Sequence, residues 1–108
     1  MINSVTMEGM LSLKPVLLEG KAGVVTEFNL EHSDFSAGQP ACYVWRCKAT
    51  GPLATTIAER SCKGQRLVVQ GRFVQELVKS EETDYMVVKL LVHECSLGPI
   101  KVGGGVER

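Results

Sequence analysis

Two short runs in this chain carry cations at strand spacing: Arg46 and Lys48 in "CYVWRCKAT", and Arg66 and Arg72 in "QRLVVQGRF". Residues an even number apart on a strand share a face, so each pair stands in a line on one side of a sheet. Such a line suits the backbone of a nucleic acid, because its charged groups can neutralise successive phosphates. Lys89, in "YMVVKLLVHEC", is a further candidate for the same work. The other reading of these residues is a solvated strand face whose charges protect an edge. Holding a single strand also takes ring faces on which bases stack. Phe35, in "DFSAGQP", is the candidate platform; folded inward, it would instead close the end of a barrel.

Tyr43, Trp45 and Val68 are candidates for a core or a subunit interface. Trp45 shares its strand parity with Tyr43, Cys47 and Ala49, opposite Val44, Arg46, Lys48 and Thr50, and amphipathic aromatics commonly serve interfaces. Its alternative role is a base platform.

Other chemistry finds little to stand on. His32 and His93 have no serine or cysteine at a readable spacing, and neither a phosphate-binding glycine loop nor a paired-carboxylate motif is present. An enzyme is not expected. Cys42, Cys47, Cys62 and Cys95 contain no CxxC pair, so neither a zinc site nor any other cofactor is expected.

The 108 residues suit one domain with its own core. Lys plus Arg equal Asp plus Glu at 12 each, which argues against a strongly basic binder but leaves open charges sorted onto separate faces. No apolar run approaches the ~18 residues of a membrane span, and no secretory signal opens the chain. The expected compartment is the cytoplasm, with reduced thiols.

The elements that position these residues follow from hydrophobic period. Residues 2–13 alternate as a first strand, and Pro15 with the "EGKAG" cluster marks a turn. "VVTEFNLEH" forms a second strand with Thr26, Phe28 and Leu30 on one face, and Glu27, Asn29 and Glu31 on the other. Glu27 and Glu31 would repel phosphate if they lined the same groove as the cations. Residues 34–40 have loop composition, and residues 42–50 form a third strand.

"GPLATTIAERSCKG" predicts the one helix, with Pro52 at its start and an apolar stripe of Leu53, Ala54, Ile57 and Ala58. A long fourth strand starts at Gln65, with Gly71 where a coiled strand bends to close a barrel and a side chain would crowd its neighbour. A fifth strand ends near Cys95, and residues 98–108 read as a flexible Gly-rich tail after a domain of residues 1–97. Three strands, one helix and two strands predict an all-β fold, a five-stranded Greek-key barrel of the oligonucleotide-binding (OB) type.

"MIN", Gly9, "FNLEHS" and above all "GPLATTIAERSCKGQRLVVQG" carry a resemblance. Over residues 1–97 the chain resembles the bacterial single-stranded DNA-binding protein superfamily, including its primosomal replication protein N branch. The strongest element is the ungapped spacing Gly51, Ala54, Lys63-Gly64 and Gly71-Arg72. The resemblance implies an OB barrel that binds single-stranded DNA non-specifically in replication, repair or replication restart, as a homo-oligomer, either dimer or tetramer, and alongside replication or recombination proteins. At positions corresponding to the family's stacking aromatics stand Val44, Thr50 and Val78, which offer no ring; Phe35 lies close to another such position. The alternative is therefore a protein-interaction module of the primosome or recombination machinery with weak or no DNA binding.

Overall fold

Alternation of period two carries most of the chain into strands. The computed structural model describes the backbone of residues 2–21, 23–102, 106 and 107, and the side chains of all of these except 35, 36, 99–102, 106 and 107. Its strands are β1 (Val5–Leu11), β2 (Val16–Gly20), β3 (Gly23–Ser36), β4 (Gln39–Thr50), β5 (Gln65–Val78), β6 (Tyr85–Val102) and β7 (Val106–Glu107). The helix α1 (Gly51–Arg60) joins β4 to β5.

Five of the strands pair in a closed cycle. β1 runs antiparallel to β5, β5 to β6 and β4 to β3, while β4 and β6 pair in parallel at Cys47↔Leu90 and Lys48↔Leu91. β3 returns to β1 through Met10↔Glu31 and Leu11↔Leu30. The architecture is all-β and barrel-like. A closed cycle removes most of the exposed edge that an open sheet of this size would carry.

The strand count differs from the expected five. The Pro15 to Gly23 region does not act as one turn: Pro15 precedes β2, which pairs with β3 from Val16↔Glu27 to Gly20↔Gly23, and only the glycine-flanked end reverses the chain. β7 adds a two-residue pairing to β6. Residues 34–40 are not a loop either. β3 and β4 stay paired out to Ser36↔Gln39, and the reversal is confined to Ala37 and Gly38, whose φ values of 53° and 77° match the twist of a tight hairpin. β6 continues past Cys95 to Val102, so residues 98–102 are strand where a tail was expected; residues 103–105 and 108 of that tail lie outside the described residues.

Alternation also builds the core. Leu11, Phe28, Leu30, Cys47, Leu67 and Leu90 point inward from the five cycle strands, and Ala54 and Ile57 close one side of this cluster from α1, on which Ala58 is also buried. The helix ends at Arg60, earlier than Lys63-Gly64, because Ser61 is already extended while its N–H still donates to the Ile57 carbonyl. Lys14 reaches the same end, donating from Nζ to the carbonyls of Ala58 and Ser61, each at 2.9 Å. A cation there complements the partial negative charge of the last carbonyls.

Gly71 sits at a register shift in β5. A Cβ on it would lie 1.9 Å from the Leu91 carbonyl oxygen, so the backbones of β5 and β6 approach there as only glycine permits.

Candidate nucleic-acid interface

The register places outward-facing residues of four strands in one row: Glu27 on β3 opposite Lys48 on β4, Lys48 beside Leu91 on β6, and Leu91 opposite Arg72 on β5. Arg46 lies two residues from Lys48, opposite Asn29, and Lys89 lies two residues from Leu91, opposite Val74. Arg46, Lys48, Arg72 and Lys89 therefore share one face, as strand parity required.

Two of these four are not free cations. Lys89 Nζ donates to Glu27 Oε2 at 2.7 Å and to Glu76 Oε1 at 2.8 Å, and the residue is only 8 % exposed. Lys48 Nζ donates to the other oxygen of Glu76, Oε2, at 2.7 Å. Lys48 and Lys89, both expected at phosphate, are thus each held by carboxylates, and two carboxylates neutralise two ammoniums. Burial acts most strongly on Lys89 and works against its charge, yet the hydrogen bonds to Glu27 and Glu76 outweigh it and raise its pKa above the ordinary lysine value. The bonds from Lys48 and then Lys89 hold the Glu76 carboxyl below its usual range.

Glu27 was legible as an opposing charge on this face. Glu76 was missed, although its parity with Arg72 and Val74 places it on the same side of β5.

The three arginines are exposed, and none makes an ion pair among the described residues. Arg72 ends the row on β5. Arg46 borders a cleft of about 310 Å³ whose walls include Ser12, Lys14, Glu27 and Asn29. Arg66 does not join them. It lies six residues from Arg72, roughly 20 Å along the strand, and lines a separate cleft of about 330 Å³ with Glu8, Glu31 and His32. Of the five candidate cations, Arg46 and Arg72 thus stand without a carboxylate on one face among the described residues, with Arg66 apart.

Of the ring candidates, the side chain of Phe35 lies outside the described residues; its backbone pairs with Pro40 in the hairpin. Trp45 is half-buried and packs on Phe73, ring centroids 5.5 Å apart and planes tilted by 43°. It stands on the core-facing side of β4, where the parity of Cys47 and Ala49 put it. Tyr43, two residues further along the hairpin, is exposed and is not a core residue. Val68 is half-buried on the outward side of β5, between Glu8 and Ser96. Val44 and Thr50 are exposed, and Val78 is half-buried.

The β3–β4 and β5–β6 hairpins run beyond the core and expose large apolar side chains, Tyr43 and Val44 on one and Leu77, Tyr85, Met86 and Val88 on the other. His32 Nδ1 donates to the Glu8 carbonyl at 2.8 Å, since a carbonyl only accepts. His93 is exposed. Among the described residues no helix is long and apolar enough to cross a membrane.

Compared with known proteins, the chain matches no family model and no curated protein. Its class is defined by the fold: an all-β, barrel-like protein with, among the described residues, one helix inserted into the cycle of strands.

Proposed function

We infer that the chain is an OB-fold protein that binds single-stranded DNA without base code, acting in replication, repair or replication restart. The observation that carries this reading is the closed cycle of β1, β3, β4, β5 and β6, with α1 between its third and fourth members and a parallel β4–β6 closure. That arrangement is the one expected of an OB barrel, whose outward sheet face takes oligonucleotides. Arg46 and Arg72 lie on such a face with no carboxylate partner among the described residues, and the resemblance to the single-stranded DNA-binding superfamily points the same way. Binding through so few cations is weak and its salt slope shallow, with log affinity falling by about 0.7 per log unit of salt for each phosphate engaged. Anisotropy titration of labelled oligo-dT across a salt series tests it. Absence of binding even at low salt defeats it.

The exposed apolar side chains of the two hairpins favour a second reading, a protein-interaction module of the primosome or recombination machinery. They also suit a homo-oligomer, which sedimentation of the native chain against a Met86→Asp variant measures. Under the module reading, a replication or recombination partner is retained after nuclease treatment and by Arg72→Glu. Under the DNA-binding reading, both abolish co-purification. A cytoplasmic location goes with either function.

A further inference from the structure

We propose that Glu76, with Glu27, acts as a built-in stand-in for strand phosphates, holding the ammoniums of Lys48 and Lys89 and so setting the affinity of this face low. The inference rests on the single-strand reading and concerns how that face is tuned. Its basis is the division of one carboxylate between two cations from different strands. Glu76 Oε2 takes Lys48 at 2.7 Å, and Glu76 Oε1 takes Lys89 at 2.8 Å. The two non-bridging oxygens of a phosphodiester present the same pair of acceptors on one anionic centre. Glu27 Oε2 supplies a second carboxylate to Lys89 at 2.7 Å. A strand laid between the exposed Arg46 and Arg72 passes over this cluster, because Lys48 stands two residues from Arg46 and Leu91 connects Lys48 to Arg72 in register. To engage either ammonium, a phosphate must displace a carboxylate already fixed by the fold, and that exchange releases no counterion from the protein's own pair. Single strands are then counted by the arginines alone.

Replacing Glu76 by glutamine keeps the size of the side chain and removes the charge shared by the two lysines. Glu27 still pairs with Lys89, so the buried ammonium retains a partner while Lys48, the more exposed of the two, is released. Anisotropy of labelled oligo-dT is followed from ~50 mM to ~500 mM salt for the native chain and for Glu76→Gln, with thermal melts confirming that both are folded. One added phosphate contact steepens the salt slope by about 0.7 and tightens binding about eightfold at ~50 mM. Adding Glu27→Gln releases Lys89 and steepens the slope by about 0.7 again. Adding Lys48→Gln to Glu76→Gln removes the first gain. If the native chain binds and Glu76→Gln leaves slope and affinity unchanged or weakened, the proposal is overturned while the DNA-binding reading stands. If no variant binds at any salt, the DNA-binding reading falls and takes the proposal with it.

Discussion

Glu76 on β5 and Lys48 on β4 meet at 2.7 Å although their strands do not pair; β6 runs between them and contributes Lys89 to the other oxygen of the same carboxylate. The cluster therefore ties three strands together, and Glu27 on β3 adds a fourth. Lys89 is its centre. Replacing it with methionine leaves two carboxylates facing each other without their shared cation. Breaking a buried pair commonly costs several kcal/mol, but both carboxylates are about a third exposed, so the loss is set at about 2 kcal/mol. A shift in the urea midpoint of Lys89→Met with an unchanged slope would measure it.

The same cluster shapes the pH dependence of stability. The native pKa of Glu76 is lowered, so its contribution is present above the unfolded carboxylate value and is lost as pH falls through the native one. The native pKa of Lys89 is raised, so its contribution is present below the unfolded lysine value and disappears as pH rises through the native one. Urea unfolding across pH should show a plateau at neutrality falling at both extremes. Glu76→Gln should flatten the acid limb.

Gly71→Ala should destabilise the barrel by about 2–3 kcal/mol, because the new methyl meets the Leu91 carbonyl at 1.9 Å and backbone must move to admit it. Thermal unfolding of the variant tests this. An unchanged melting temperature would mean that β5 and β6 do not approach as closely as described. Here sequence and structure agree: a glycine inside an otherwise apolar alternation predicted a bend and a crowded neighbour, and β5 shifts register at that point.

Thiol reactivity should follow burial. Cys47 is fully buried, and burial, with Cys95 nearby, pushes its pKa up to about 12. Cys95 is also raised by burial, whereas Cys42 is exposed. Iodoacetamide at mildly alkaline pH should label Cys42 first in the native protein and Cys47 only after unfolding, since the thiolate is the reactive form. Mass spectrometry of a time course distinguishes the order.

What the chain declared by itself was local. The i, i+2 alternation of β4 assigned Cys47 and Ala49 inward and Arg46 and Lys48 outward, and the stripe of Ala54, Ile57 and Ala58 assigned the buried face of α1. Both follow from backbone period, which needs no knowledge of distant residues. β2 was hidden because Pro15, Gly20 and Gly23 frame only five residues, and their pairing to β3 depends on a strand whose path they do not encode. The extended hairpin at Ala37 and Gly38 was hidden because its composition is that of a loop while its ladder is supplied by the partner strand. Above all, the fate of the lysines was a tertiary decision. Parity could say that Lys48, Glu76 and Lys89 face the same way. Only the order of strands around the barrel could bring residues 28 and 13 positions apart within hydrogen-bonding distance and turn two expected phosphate contacts into a neutral cluster.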